Sequence, residues 1–440
     1  MKDRIVLADA VNSIGEEIGI AGWIEKRRDH GKMIFFDVRD RSALVQCIVL
    51  PDATEAYEEA KKLRGEYIVA LKGLVKERPN SSIQEDNPGG NIEIEIRSIT
   101  VLAQPKGELP VDVSQQEMGL QLETLLNYRH LTLRNEKVRS IFRLYGVILE
   151  AYASHMRSRD FLEIKSPKLL DAATEGGANF FKVQYFDKEA YLAQSPQFYK
   201  QAGVSAFERV FEIGSVFRAE PHFTTRHVNE YVGLDAELGF IENFEEVMDE
   251  LEKVIWTMMS AIRKKGGKEM SIYEKKVPEK IAIPRISLEE ATEILKKEYK
   301  KEIEDGDIDA EGERMIGDYV WKKYGSDFVF LTHYPKTIRP FYTMPSKDGK
   351  TTESFDLIFR GLEIATGGQR IHDYKQLKKS IESRGLNPED FSSYLDIFRF
   401  GIPPHGGWGL GSERIIQQLL GLGSIKEAVL YPRDVKRLTP

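Results

Sequence analysis

Cysteine is almost absent. Cys47 is the only one in 440 residues, so no disulfide can form within the chain and no cage of thiolates can hold a metal. Long apolar runs are missing as well: no stretch of about 18–20 residues passes without a charge, and the opening "MKDRIVLADAV" is interrupted too often for a secretory signal. These absences lead to the expectation of a cytoplasmic protein with no membrane partner. There is no internal repeat and no low-complexity tract, which excludes solenoids and fibrous arrays. Nor is there a basic excess. A net charge of −7 argues against a protein that coats nucleic acid unselectively, so any polyanion must be met by a local patch.

Of the residues present, 41% are apolar and 30% charged, the balance of an ordinary globular protein, and the length allows two or three domains. Residues 1–104 read as five short strands: "IGIAGWIEKRR", "KMIFFDVR", "ALVQCIVL", "EYIVALKGLV" and "NIEIEIRSITVL". The last alternates Ile92, Ile94 and Ile96 with Glu93 and Glu95, one face in and one out. Five such strands suit a small closed barrel of the OB type, which holds oligonucleotides. Residues 105–134, with Pro105 and Pro110 and little apolar periodicity, read as a linker. From Asn135 the spacing turns helical, placing Val138, Ile141, Phe142, Tyr145, Ile148, Leu149 and Tyr152 on one stripe. Beyond that helix "DFLEIKSPKLL" reads as a strand halted by Pro167. Strand pairs and helices then alternate irregularly through 135–440, which indicates an α+β domain rather than a doubly wound sheet. "RKKGGKEMSIYEKKVPEK" reads as a charged loop and "DIDAEGERMIGDYVWKKYG" as an inserted helix, within a small insertion spanning roughly 265–350.

Charge is concentrated where strands are expected. In "ERVFEIGSVFRAE" alternation places Glu212, Arg218 and Glu220 on one face, and in "YVGLDAELGF" Asp235 and Glu237 share a face with Gly233 and Gly239. Either these acids and bases form an internal salt-bridge network or they meet a charged ligand. A buried ion pair seldom adds net stability, which favours the ligand. In "ESFDLIFRGLEIATGGQRIHDY" a two-residue turn at Arg360-Gly361 sets Phe359 opposite Leu362 and Ile358 opposite Glu363, leaving Asp356 on the face of Glu363. Two carboxylates beside the Thr366 hydroxyl form an oxygen site for Mg²⁺ shared with phosphate, or else solvated acids at a sheet edge. Arg370, after Gly367-Gly368, is a candidate anion clamp. In "PPHGGWGLGSERIIQQLLGL" glycines lead into a helix with Glu413 and Arg414 in its first turn. Arginine is unfavourable there for the helix dipole, which suggests a task elsewhere; the alternative is a Gly-rich loop with a surface Arg. "ATEGGANFFKVQYFDKEAYLAQSPQFYKQ" offers Glu175 in a mobile acidic loop, and Gln197 and Lys200 after a short strand, where Asp235 could pair with the lysine.

Together "SPKLL", "FRAE…RHVNEY" and "GLGSER" resemble, in order, the three signature motifs of class II aminoacyl-tRNA synthetases. "YLAQSPQFYKQ" and "GGQRIH" resemble the aspartyl branch in its archaeal and eukaryotic forms, whereas the first domain is similar to the anticodon-binding OB domain of bacterial forms. The resemblance implies an α+β fold with an antiparallel catalytic sheet flanked by helices, and a homodimer joined through the long helix and the Pro167 strand. It implies that Arg218 holds the ATP α-phosphate beside the amino-acid carboxylate, and that Arg226 and His227 hold the distal phosphates. Tyr231 would lie beneath adenine with Arg414 on the other ring face, and Glu220, Val228, Gly411, Ser412 and Glu413 would complete the ATP site. Asp356, Glu363 and Thr366 would hold Mg²⁺; Arg218, Glu363 and Arg414 would carry the catalysis. Glu175, Gln197, Lys200, Asp235, Thr366 and Arg370 would surround L-aspartate together with Arg218. The reaction implied is ATP-dependent activation of aspartate and its transfer to the 3′ end of tRNA(Asp), with tRNA(Asn) left open as a second acceptor. In "KRRDHGK", Lys26, Arg27, Arg28 and Lys32 are available to phosphates; Phe35 would stack, and Gln46 would read, the middle anticodon base. Three rival readings stand beside this one: an asparaginyl enzyme, which Lys200 speaks against; an asparagine synthetase, which would have little use for an OB domain; and a noncatalytic tRNA-binding homologue, which should have lost Arg218, Glu363 or Arg414.

Overall fold

The computed structural model describes residues 4–80, 83, 87–171, 179–221, 224–303 and 306–439. The chain divides into two units, Met1–Leu120 and Gln121–Pro440. In the first, β1 (Glu17–Asp29), β2 (Ile34–Arg39), β3 (Leu44–Val49), β4 (Ile68–Glu77) and β5 (Ile92–Ala103) close into a barrel in the order β1-β2-β3-β5-β4. Alternation fills it: Ile92, Ile94 and Ile96 are wholly buried, beside Phe36, Val38 and Cys47. Glu95 departs from the pattern. It is buried too, and its charge is met by Lys76 and Arg97.

The second unit holds β6 (Leu162–Glu163), β7 (Leu169–Leu170), β8 (Lys182–Tyr185), β9 (Lys188–Leu192), β10 (Arg209–Phe217) and β11 (Glu230–Gly239). It continues with β12 (Arg285–Ser287), β13 (Phe328–Thr332), β14 (Ser354–Phe359), β15 (Leu362–Gln369) and β16 (His405–Gly411). Eight of these form one sheet in the order β12-β13-β14-β15-β16-β11-β10-β6, antiparallel except at its two outer pairs; β7, β9 and β8 form a small second sheet. Alternation along the central strands separates the sheet's two faces. Leu234 and Ala236 of β11, with Trp408 and Leu410 of β16, join the core formed with helices Glu136–Ser158 and Glu245–Lys265. Burial of each such large apolar side chain contributes about 1.5–3 kcal/mol, which holds the sheet against these helices. The intervening Asp235, Glu237, Gly407 and Gly409 turn to the opposite face. Helix Glu136–Ser158 begins where the side chain of Asn135 accepts from the Lys137 and Val138 amides, an N-cap that fixes its start.

Several local expectations change. Residues 121–134, which the sequence reads as linker, form helices Leu122–Asn127 and Arg129–Thr132; the buried Arg129 guanidinium donates to the carbonyls of Glu427, Val429 and Leu430. The expected charged loop after residue 262 is helical in its first half, through Lys265 and again over Gly267–Ile272, where Met270 is buried among core residues. The strand expected around Pro167 is reduced to two residues on either side of it. The glycine-rich approach "HGGWGLG" is no loop but the strand β16. Its glycines lack the side-chain alternation that marks a strand in sequence.

Candidate active site

Strands β11, β15 and β16 floor a cavity of about 270 Å³, near the lower limit of ordinary small-molecule sites, about 300 Å³. In register, Asp235 faces Gly409, which faces Thr366, and Glu237 faces Gly407, which faces Gly368. Each acid therefore lies beside a glycine. A Cβ on Gly407 would overlap the Ala236 carbonyl and the Glu237 carboxylate, so the absence of a side chain there makes room for a buried charge.

Helix Gln197–Phe207 directs Lys200 onto this floor. Lys200 Nζ lies 3.0 Å from Asp235 Oδ1, 2.8 Å from the Trp408 carbonyl and 3.4 Å from Glu237 Oε2, with the side chain only 2% exposed. Arg370 Nε donates to Glu237 Oε1 at 2.9 Å and its Nη2 to the Gly407 carbonyl at 3.0 Å. Burial pushes Asp235 above the usual carboxylate range although Lys200 pulls the other way. Burial raises Glu237 as well, but Arg370 and then Lys200 outweigh it and hold that carboxyl below the usual range. Sequence alternation left Glu237 open between ligand contact and internal pairing; it pairs internally, bridging both cations. Behind them His405 Nε2 meets Gln201 Nε2 at 2.8 Å, Gln201 Oε1 accepts from the Tyr394 hydroxyl at 2.8 Å, and His405 Nδ1 lies 2.9 Å from the Pro403 carbonyl. Burial lowers His405 to about 4, so the ring is neutral, with its proton on Nδ1 and Nε2 accepting from Gln201. Gln197 lines the cavity, and its buried Nε2 makes no hydrogen bond, which leaves a donor for a bound acceptor.

Toward the other end of the same strands the cavity is lined by Arg218, Glu220, Arg226, His227, Val228, Tyr231, Glu363, Gly411 and Arg414. Strand β10 ends at Phe217, so Arg218 and Glu220 lie beyond it, while Glu212, expected on their face, is tied to Ser166 and Lys168. Glu220 pairs with Arg218 at 3.8 Å and with His227 Nε2 at 3.4 Å. The Arg218 guanidinium lies 5.8 Å from the centre of the Tyr231 ring. Arg414 Nη1 donates to the Glu363 carbonyl at 2.8 Å and lies 3.4 Å from Glu363 Oε1. Arg414 is thus no surface residue but is held against β15 by Glu363. Of the two residues before Arg414 in "GSER", Ser412 turns inward, while Glu413 lines the cavity although its carboxylate is tied to the backbone. The Ser412 hydroxyl donates to the Val232 carbonyl and does not line the cavity. The Glu413 carboxylate accepts from the Val232 amide and the Tyr145 hydroxyl and is only 3% exposed. Both secure the start of the helix Ser412–Leu420. Glu175 lies outside the described residues.

The hairpin at Arg360-Gly361 forms as read, with both residues at positive φ (46° and 76°) and with Phe359 opposite Leu362 and Ile358 opposite Glu363. An extra residue at Ile364 then shifts the register, so Asp356 faces Thr366. Asp356 does not line the cavity. Arg339, which the sequence gave no reason to single out, covers it: Nη2 approaches Asp356 Oδ1 at 2.8 Å without a hydrogen-bonding angle, Nη1 donates to Thr366 Oγ1 at 3.0 Å, and the guanidinium stacks 3.7 Å from the Tyr334 ring centre. Burial raises the Asp356 carboxyl; Arg339 opposes this and Glu363 adds to it. Among the described residues no group of three or more His, Cys, Asp or Glu could hold a metal ion by itself. Glu363 and Thr366 line the cavity and fit a divalent cation that brings phosphate oxygens as its remaining ligands, whereas the Asp356 Oδ1 that lacks a hydrogen bond is ion-paired with Arg339 and stands behind it. A further unanticipated acid, Glu313, sits behind the cavity wall. Its carboxylate contacts Arg226 Nη2 and accepts from the Glu363 amide at 3.1 Å. Burial pushes it up to about 7 against the pull of Arg226, and the Glu363 charge adds to the rise.

On the barrel, Phe35 and Asp37 share the outer face of β2, and Gln46 lies opposite Asp37. Phe35 is half-buried, edge-on to His30 with ring centres 5.5 Å apart. Arg28 donates to Asp37 at 3.0 Å and lies 3.4 Å from Gln46 Oε1; Arg78 donates to the same oxygen at 3.2 Å, and Gln46 Nε2 to Glu93 at 3.3 Å. A half-exposed ring thus borders a row of polar groups, a surface suited to one unpaired base.

Residues 121–435 match the family described as tRNA synthetases class II (D, K and N), and residues 18–102 match the OB-fold nucleic acid binding domain family. The aspartate–tRNA(Asp/Asn) ligase of Aeropyrum pernix is 42% identical over the full length of both chains, and the aspartate–tRNA(Asp) ligase of Pyrococcus abyssi is 40% identical over 97% of each. The crystal structure of asparaginyl-tRNA synthetase from Pyrococcus horikoshii complexed with asparaginyl-adenylate superposes with a TM-score of 0.91 at 31% identity, covering all of both chains. With full-length identity above 40% to an aspartate ligase and the family match spanning nearly all of the second unit, the chain belongs to the class II aminoacyl-tRNA synthetases of the D, K and N group and, within it, to the aspartyl-tRNA synthetases.

Proposed function

We infer that the protein activates L-aspartate with ATP and transfers it to the 3′ end of tRNA(Asp), with tRNA(Asn) as the second candidate acceptor. The observation that carries the choice of aspartate is the pair of buried cations, Lys200 and Arg370, lining the cavity with Asp235 and Glu237 behind them. A carboxylate only accepts hydrogen bonds and satisfies both cations. The amide of asparagine would turn N–H donors toward the cations and bring no negative charge, at a cost of several kcal/mol. In the first step an oxygen of the aspartate α-carboxylate attacks the α-phosphorus in line and pyrophosphate leaves. Arg218 would hold the α-phosphate, Arg226 and His227 the distal phosphates, and Tyr231 and Arg414 the adenine. No protein nucleophile is needed, because positioning and charge stabilisation supply the catalysis. Mg²⁺ arriving with ATP would be held by Glu363 and Thr366, and by Asp356 once Arg339 gives way, and would neutralise phosphate charge. In the second step the terminal 3′-hydroxyl of tRNA attacks the adenylate carbonyl and AMP leaves.

The proposal extends to four further points. The first unit acts as an OB anticodon-binding domain over 1–104, followed by a linker shortened to 105–120, and the second, 121–440, as the catalytic domain. Phe35 and Gln46 read the middle anticodon base, with Arg28 beside them. Two chains pair through the region around Pro167, where Leu162 and Leu169 are exposed. The protein works in the cytoplasm; among the described residues no helix is long and apolar enough to cross a membrane. Pyrophosphate exchange that depends on aspartate and not on asparagine is the expected result. The reverse would make the protein an asparaginyl enzyme, and charging of tRNA(Asp) and tRNA(Asn) transcripts with labelled aspartate then assigns the acceptor.

A further inference from the structure

Arg226 lines the cavity, yet the group that fixes it belongs to a different part of the chain. Glu313 lies in the first turn of the helix Ala310–Tyr324, inside the inserted segment. That helix is pressed onto the β14–β15 turn, where a Cβ on Gly317 would come within 2.7 Å of the Gly361 amide nitrogen, so the helix cannot shift without moving the hairpin. The Glu313 carboxylate accepts from the Glu363 amide at 3.1 Å and contacts Arg226 Nη2. The loop behind Arg226 is tied as well: the Thr225 carbonyl accepts from the Ile425 amide at 2.9 Å. A guanidinium has five N–H donors in a fixed fork, so gripping one nitrogen orients the others.

We propose that Glu313 is a positioning residue for the nucleotide: anchored on the backbone of Glu363, it aims the Arg226 guanidinium into the cavity toward the distal phosphates of ATP. The role rests on the reading that Arg226 meets those phosphates. It accounts for an ion pair whose partners are 87 positions apart and mostly shielded from water, a pairing that by itself adds little to stability. It also gives the inserted helix a part in the reaction. Glu313 touches neither the cavity nor the reacting atoms, so it acts through the groups that it holds, the Arg226 guanidinium and the Glu363 backbone.

Calorimetric titration of ATP and AMP into wild type, E313Q, E313D, R226A and the double variant E313Q/R226A tests this. E313Q keeps the shape and an acceptor for the Glu363 amide but loses the charge that holds Arg226. It should weaken ATP about tenfold, the scale of one charge-assisted contact, and leave AMP, which lacks distal phosphates, unchanged. E313D should recover part of the loss, and E313Q should add nothing in the R226A background. In aspartate-dependent exchange the E313Q effect should fall on KM for ATP rather than on kcat. Equal weakening of ATP and AMP, unaltered ATP binding, or additive losses in the double variant would overturn the proposal. R226A that binds ATP normally would instead overturn the assignment of Arg226 beneath it.

Discussion

Replacing Lys200 by methionine removes one charge from a buried group of four while nearly keeping its volume. Its consequences for folding and for substrate choice can be separated. At 3.0 Å from Asp235 and an effective dielectric of 20, the attraction is about 5 kcal/mol before desolvation is subtracted; removing one partner of such a buried pair typically costs about 3–5 kcal/mol. Glu237 keeps Arg370 at 2.9 Å, so Asp235 is the acid left uncompensated. Its carboxyl, already raised by burial, rises further without Lys200. The folded variant therefore holds a proton that the unfolded chain, with an ordinary carboxyl near 3.8, has released. The folded state binds the extra proton, so stability falls as pH rises through that window. Relative to wild type, K200M should lose little at pH 5 and about 3–4 kcal/mol at pH 8, the most that one proton allows over three pH units. Urea unfolding followed by tryptophan fluorescence reads the transition, because Trp256, Trp321 and Trp408, three of the four tryptophans, lie in the catalytic unit. Adding D235N should restore stability at pH 8 without restoring aspartate-dependent exchange, in which kcat/KM should remain down by roughly 10²–10⁴. A loss below about 1 kcal/mol would refute the reasoning by showing Lys200 to be screened by solvent, and one equal at both pH values by showing that Asp235 takes up no proton.

Other expectations follow from the same geometry. F35A should leave aspartate-dependent exchange intact and raise KM for tRNA in charging by roughly tenfold or more, since one base–aromatic stack contributes about 1–3 kcal/mol; unaltered charging would remove Phe35 from the anticodon site. His405, lowered by burial to about 4 from 6.5, binds a proton in the unfolded chain before it does in the folded one. Stability should drop as pH falls from 6.5 to 4, by about 3 kcal/mol at the lower end, and urea midpoints of H405Q should lack that component. G407A should destabilise at the upper end of overpacking, about 3 kcal/mol, because its methyl meets the Ala236 backbone and the Glu237 carboxylate; a melting temperature within a degree or two of wild type would argue that β11 and β16 can separate.

What the sequence disclosed follows from how local each feature is. The Arg360-Gly361 turn depends on two adjacent residues, and the alternation of Ile92, Ile94 and Ile96 on one strand, so both could be read directly. The bulge at Ile364 could not, because an extra residue changes nothing in composition, yet it decides that Thr366 rather than Ala365 faces Asp356. Strand β16 hid its nature for a related reason: four of its seven residues are glycine, and the strand signal rests on side chains that glycine lacks. Arg339 and Glu313 reach the site only through tertiary folding of a segment that resembles an insertion. Their partners Asp356 and Arg226 lie 17 and 87 positions away, in opposite directions along the chain.

The crowding of charge on β11 then has a physical explanation that neither a salt-bridge network nor a ligand site supplies alone. Glu237 never reaches the cavity, yet without it Lys200 and Arg370 would be two buried cations with one acid between them. Their desolvation, several kcal/mol for each ion, would then be unmet whenever substrate is absent. Asp235 and Glu237 supply the counter-charge that keeps both cations folded and pointed at an empty site. On the proposed assignment the aspartate side chain would add an acceptor to two cations that are already paired, so its binding would depend on open geometry as well as on charge. Two features provide that geometry: the glycines opposite each acid, which leave the floor open, and the unpaired Gln197 amide. The internal network is therefore the condition for the ligand site, and the two readings that compete in the sequence describe two layers of one structure.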